Sequence, residues 1–189
     1  MATLTKREIL RVFSDLASEK PVDKITVKEI TDLCQISRNT FYYHYQDVYE
    51  VLEEFLNLQI QQMLEQIERD IRTPNPEEFL MKGLSSMLSR RSLFQNLNQS
   101  SGQEVKQYMD RASSAIFDHL VEILSRNIPA TEEDKALISR FYQYAIQGFM
   151  AEWLEGRESQ PIERTLRRLH VMFWKNAKDS LQRSVEQPE

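Results

Sequence analysis

Residues 26–45 read Thr-Val-Lys-Glu-Ile-Thr-Asp-Leu-Cys-Gln-Ile-Ser-Arg-Asn-Thr-Phe-Tyr-Tyr-His-Tyr. Thr26 followed three residues later by Glu29 is a capping box, in which hydroxyl and carboxylate each satisfy an orphan amide at a helix start. Val27, Ile30 and Leu33 then recur at helical spacing, which predicts one buried face. The pattern stops at Cys34-Gln35-Ile36 and restarts at Ser37, a good N-cap. Two short helices joined by a tight turn form a helix-turn-helix, and the second helix of such a pair enters the DNA major groove with its N-terminal residues on base edges. Arg38, Asn39 and Thr40 open that helix; arginine matches guanine O6/N7, and asparagine matches adenine. The plainer alternative, solvated polar residues on a short helix, does not account for the surrounding motif. Tyr42, Tyr43 and His44 follow, and three consecutive residues of this kind cannot all face a core. Phe41 and Tyr45 continue the inward stripe.

Outward from this stretch the chain reads as helix throughout, an all-α fold. It has 189 residues with only four Gly and six Pro, and nothing shows sustained period-two alternation. A first helix is expected over 5–19, with Ile9, Phe13, Leu16 and Ala17 inward, ended by Pro21. Val22 and Ile25 tuck the connection under the core. Asp47 caps a long fourth helix to about residue 72, with Glu50 at capping-box spacing and Val51, Leu52, Phe55, Leu58, Met63, Ile67 and Ile71 along one side. At about 1.5 Å per residue it is roughly 38 Å long. Thr73-Pro74-Asn75-Pro76 breaks the chain, and a fifth helix is expected over 76–89. Residues 92–101 read as a short helix and a mobile loop, and 102–126 as another helix. Thr131 with Glu132, Glu133 and Asp134 starts the next, where acids favour the helix dipole. From Ala136 to Leu154 apolar residues wrap nearly all round, so a subunit partner is expected to cover what the chain's own core does not. Ser159-Gln160-Pro161 opens a last helix, and the final six or so residues look frayed.

Net charge is −5. Residues 1–50 hold seven Lys/Arg against eight Asp/Glu, so few ionic DNA contacts and a shallow salt dependence are expected. One cysteine, Cys34, allows no internal disulfide and suits a reducing compartment; it is expected to be packed rather than reactive. No apolar run approaches a membrane span, and the opening residues lack the apolar core of a signal peptide, so a cytoplasmic protein is expected. His119 and His170 have no Glu or Cys at metal-ligand spacing, and a structural or surface role is expected for each. There is no Gly-rich phosphate loop, nucleophile elbow, His-Glu-x-x-His or Cys pair. No enzyme, metal or cofactor is expected.

Ile25-Thr26-Val27, Ile30, Ile36-Ser37, Thr40-Phe41-Tyr42, His44-Tyr45 and Asp47 together resemble the DNA-binding module of TetR/AcrR-family transcriptional regulators, over residues 4–52. The resemblance implies a helix-turn-helix domain over 1–47 and an effector-binding and dimerisation domain over 48–189. It implies double-stranded DNA as partner, contacted by Thr26, Lys28, Ser37, Arg38, Asn39, Thr40, Tyr42, Tyr43 and His44. It further implies a homodimer through helices near 131–156 and 160–183, and a ligand-responsive regulator, most often a repressor, on a pseudo-palindromic operator. An unknown small-molecule effector would sit among apolar and aromatic walls with a few polar groups. Gln59, Met63, Met87, Phe94 and Tyr108 are candidates, with Gln62, Gln103 and Asn98 as further polar ones. Two positions depart from the family: the turn has Gln35 where Gly usually accepts a positive φ, and Val48 stands where members usually carry a phosphate-gripping Lys. These departures leave a second reading, a regulator on the same scaffold that acts through a protein partner with weak or no DNA binding of its own.

Overall fold

Pro21 carries no backbone N–H, and the first helix, α1 (Ala2–Glu19), ends just before it. The computed structural model describes residues 2–71, 88–157, 159–169, 171–172 and 175–187, and every regular element among them is helical. Helix α1 starts three residues earlier than expected and buries Ile9, Phe13, Leu16 and Ala17, together with Val12. A single 3-10 turn, Val22–Lys24, leads to α2 (Val27–Cys34) and α3 (Arg38–His44).

The buried face of α2 differs from the expected one. Ile30 and Thr31 are buried, with Val27 and Cys34 packed beside them, whereas Leu33 is 57% exposed. Residues 27, 30, 31 and 34 form one stripe, and Leu33 lies about 100° round the helix from its centre, given 3.6 residues per turn. Thr31 is buried without an orphan hydroxyl because its Oγ1 donates to the Lys28 carbonyl at 2.9 Å.

Helix α4 (Val48–Ile71) is capped as expected by Asp47, whose Oδ1 accepts from the amides of Tyr49 (2.8 Å) and Glu50 (3.0 Å). Glu50 reaches back one residue further than a capping box requires, accepting from the Gln46 amide at 2.5 Å. Val48, Val51, Leu52, Phe55 and Leu56 are buried, while Leu58, expected inward, is partly exposed; the side chains of Ile67 and Ile71 lie outside the described residues. The expected fifth helix, 76–89, also lies largely outside them. The amide-rich stretch forms α5 (Arg91–Gln99), with Leu93 and Leu97 buried. Then follow α6 (Gln103–Ser125), α7 (Glu132–Leu154), α8 (Ile162–Leu169) and α9 (Lys175–Glu186).

Thr131 caps α7, accepting from the Asp134 amide at 3.1 Å. Gly156 closes it at φ 68°, a left-handed position that glycine takes without steric cost. Within the single chain α7 is not buried on every side: Ser139, Gln143 and Trp153 face inward, while Leu137, Phe141 and Tyr144 are exposed. The one expected last helix is seen as α8 and α9, with Val171 and Met172 in π-helical conformation between them. It extends to Glu186, past the expected point of fraying.

The chain divides into two compact units, Met1–Gln61 with Met87–Asp110, and Gln62–Ser86 with Arg111–Glu189. The core of the first joins Ile9, Phe13, Ile30, Phe41, Leu52 and Leu93, with the Phe13 and Phe55 rings edge to face at 5.6 Å. The second holds one cluster around Leu120 and another of Val121, Ile128 and Leu181. No described helix is long and apolar enough to cross a membrane.

Candidate nucleic-acid interface

The start of α2 is held by the expected capping box. The Thr26 hydroxyl accepts from the Glu29 amide at 3.3 Å and donates to Glu29 Oε2 at 2.8 Å, while the same carboxylate accepts from the Thr26 amide at 3.0 Å. The Thr26 hydroxyl is thus engaged in both directions. Lys20, just past α1, also bonds Glu29. The Lys20 ammonium, with the Thr26 bonds behind it, holds the Glu29 carboxyl down at about 2.

Gln35 makes the turn in left-handed conformation at φ 54°, the only positive-φ non-glycine among the described residues. Its amide donates to the Asp32 carbonyl at 3.3 Å, and that of Ile36 to Thr31 at 3.0 Å. Ser37 then caps α3: its Oγ accepts from the Thr40 amide at 3.0 Å and lies 2.9 Å from Thr40 Oγ1. Phe41 and Tyr45 anchor the helix in the core as expected, their rings 5.9 Å apart. The Lys6 ammonium sits 5.1 Å from the Tyr45 ring centre and pairs with Glu54 at 2.7 Å. Burial, then the neighbouring Glu54 charge, pushes the Tyr45 hydroxyl well above its ordinary ionisation.

These anchors leave one face of α3 in solvent. Ser37, Arg38 and Asn39 are exposed, as are Tyr42 (56%) and Tyr43 (80%). Thr40 and His44 are half-buried at its edges, with the His44 ring edge-on to Tyr43 at 4.9 Å. Thr26 and Lys28 are exposed on α2 and its cap. The side chains of Lys28, Arg38 and Asn39 make no hydrogen bond or ion pair with the described residues.

Most other nearby cations are already paired. Arg11 bonds Glu8 (2.6 Å) and Asp15 (2.8 Å), Lys6 and Lys20 are engaged as above, and Lys24 lies 3.9 Å from Asp23. Of the seven basic residues in the first fifty, Arg7, Lys28 and Arg38 have no carboxylate partner among the described residues. Val48 is buried in the core.

The effector candidates are not gathered in one packing cluster. Phe94 and Tyr108 pack against the core of the first unit, and Gln59 there accepts from Arg90 Nη1 at 2.8 Å. Met63 packs with the Leu120 cluster of the second unit. Gln62, Asn98 and Gln103 are exposed, and Met87 lies outside the described residues. Cys34 is a free, half-buried thiol whose ionisation burial pushes up to about 11. His119 is half-buried with Nε2 3.5 Å from Glu68, and His170 lies outside the described residues. No group of three or more metal-binding side chains occurs among the described residues. Sequence reasoning passed over Asn96 and Ser100, which bond the backbone at the end of α1 and the start of the 3-10 turn.

Over 90–98% of its length, the chain superposes on regulators of known structure. NalD, the secondary repressor of the MexAB-OprM multidrug efflux pump in Pseudomonas aeruginosa, matches at TM-score 0.66 and 17% identity, over 93% of this chain and 97% of that one. A TetR transcriptional regulator from Rhodococcus sp. RHA1 matches at 0.63 and 17%, over 96% and 97%. DhaS, the dihydroxyacetone kinase operon activator, matches at 0.64 and 16%, over 95% and 97%. Identities this low establish the fold alone. No curated protein matches the sequence significantly. The family model for the C-terminal region of TetR-type transcriptional regulators matches residues 74–174, just over half of the chain. With a helix-turn-helix ahead of that region, the chain belongs to the TetR/AcrR family of transcriptional regulators.

Proposed function

We propose that this regulator binds a pseudo-palindromic operator as a homodimer and is released from it by a small-molecule effector, acting as a repressor in the cytoplasm. The observation that carries DNA reading is the exposed face of α3, where Arg38, Asn39, Tyr42 and Tyr43 project while Phe41 and Tyr45 fasten the opposite side. Arg38 offers a bidentate match to guanine and Asn39 to adenine. Ser37, Thr40 and His44 supply hydrogen-bonding groups at its edges and Lys28 supplies one on α2, for the phosphate backbone that fixes register; Thr26 joins them by turning its hydroxyl from Glu29 to a phosphate.

Leu137, Phe141 and Tyr144, at positions i, i+4 and i+7 of α7, favour the homodimer through 131–156 and 160–183. Exposed apolar residues in one stripe gain from a self-complementary partner face. A two-fold dimer carries two reading helices to half-sites about 34–36 Å apart, or a multiple of that. An effector acts on DNA binding only by favouring one spacing over the other. The domain division that goes with this is 1–47 for reading and 48–189 for effector and dimer contacts, with Gln59, Met63, Met87, Phe94 and Tyr108 as first candidates for the pocket.

A second reading has one observation in its favour. Four of the seven cations in the first fifty residues are tied to carboxylates and Val48 is buried, which suits a regulator acting through a protein partner. Selection of bound sequences from a random duplex pool separates the two. Enrichment of a palindrome by the wild type, lost in Arg38→Ala, supports DNA reading. No enrichment at low salt refutes it and favours the protein partner.

A further inference from the structure

Pro21 leaves two backbone groups without helical partners at the corner between α1 and α2. The Ala17 carbonyl would accept from the amide of residue 21, and proline has none. The Val22 amide opens the 3-10 turn, where early N–H groups have no partner within the turn. Both groups are satisfied from a segment almost eighty residues away. Asn96 Nδ2 donates to the Ala17 carbonyl at 2.9 Å, and Ser100 Oγ accepts from the Val22 amide at 2.9 Å. Ser100 in turn donates to the Asn96 carbonyl at 2.7 Å, closing the circuit. Ser101 adds a longer bond to Asp23 at 3.3 Å. Leu93 and Leu97, one turn apart on α5, seat the same segment in the core that holds Ile9 and Phe41.

The corner leads directly into the reading helices. Ile25, buried, follows the 3-10 turn, Thr26 caps α2, and Lys20 ties the corner to Glu29 in the first turn of α2. We propose that Asn96 and Ser100 are positioning residues for DNA reading: a polar clasp, outside the helix-turn-helix, that fixes where α2 begins and so how α3 is presented. The inference rests on the DNA-reading assignment above. A hydrogen bond to a buried backbone group is short-ranged and directional, so its loss frees the corner without dissolving the apolar core beneath it.

The test uses the full chain and the duplex that the wild type enriches. Asn96→Asp keeps the side-chain shape but exchanges the donor for a carboxylate. Ser100→Ala removes the hydroxyl, and Ser100→Thr retains one that both accepts and donates. Val12→Ala thins the same core without touching the corner. Duplex affinity is measured by fluorescence anisotropy where circular dichroism shows each protein folded, and melting temperatures are recorded alongside. Asn96→Asp and Ser100→Ala are expected to lose on the order of tenfold in affinity, the scale of one good hydrogen bond. Ser100→Thr retains wild-type affinity, and so does Val12→Ala despite an equal or larger fall in melting temperature. Wild-type affinity in folded Ser100→Ala, or the same loss in Val12→Ala, overturns the clasp. A Ser100→Ala chain that does not fold overturns it too, by making the bond a folding device; should only Asn96→Asp fail to fold, the two Ser100 variants decide. A wild type that enriches no duplex refutes DNA reading itself, and the clasp's role with it, before any variant is made.

Discussion

Gln35 turns the chain between α2 and α3 in a backbone conformation that glycine takes freely and that costs other residues about 1–2 kcal/mol. Glycine returns part of that gain through its freer unfolded chain. Gln35→Gly is therefore expected to raise stability by about 0.5–1 kcal/mol, read as a higher urea midpoint at unchanged slope; a lower midpoint would mean that the glutamine side chain contributes more than its backbone costs. One residue earlier, burial holds the Cys34 thiol protonated, with its ionisation near 11 against an ordinary 9.0. A disulfide reagent at mildly alkaline pH should react on the order of a hundredfold more slowly with native Cys34 than with the urea-unfolded chain, because only the thiolate attacks. Similar rates in the two states would contradict a packed thiol. Glu29 behaves in the opposite sense, held at about 2 from an ordinary 4.5, chiefly by Lys20 and then by Thr26. A carboxylate depressed in the folded state stabilises it fully above the ordinary value and loses that contribution as pH falls from about 4.5 to about 2. Glu29→Gln should lack this part of the acid slope in melting temperature between those limits, and a slope identical to wild type there would contradict the pairing.

At the scale of elements, the helix-turn-helix was legible because its signals are local. Thr26, Glu29 and Ser37 announce two helix starts, and Phe41 and Tyr45 announce one core-facing side. Leu33 was misread for the same reason. Helical spacing from Ile30 alone does not say which neighbouring stripe is buried, and Thr31, a residue that hides its own hydroxyl, took the place given to leucine. The clasp by Asn96 and Ser100 joins residues whose sequence separation hides the pairing; only Pro21, which orphans a carbonyl, hinted that something must answer it. The effector candidates carry no comparable local signal, because apolar residues at helical spacing mark every helix of an all-α chain alike. Two element-scale outcomes follow from the exposed faces. With Arg7, Lys28 and Arg38 as the cations of the first fifty residues that have no carboxylate partner among the described residues, the proposed dimer would neutralise at most about six phosphates from this region, and log affinity against log salt should fall with a slope no steeper than about −5. A slope near −8 would mean that Lys6, Arg11 or Lys20 leaves its carboxylate on DNA. On α7, where Phe141 is 63% exposed between Leu137 and Tyr144, the proposed dimer predicts a two-fold larger wild type in sedimentation and a 22.4 kDa monomer for Phe141→Arg. A variant still dimeric would move the subunit contact elsewhere.

For the whole molecule, the family match and the all-helical fold agree on a transcriptional regulator, and the remaining question is what the exposed face of α3 touches. Among the described residues, the two compact units divide inside α4 and inside α6. The central claim, that α2 and α3 meet DNA, is tested most directly by amide hydrogen exchange of the full chain with and without the enriched duplex, at labelling times of seconds. The account predicts new protection concentrated in residues 26–45, with Arg38→Ala abolishing it. Protection confined to α7–α9, or none at a duplex concentration that saturates binding, would contradict it.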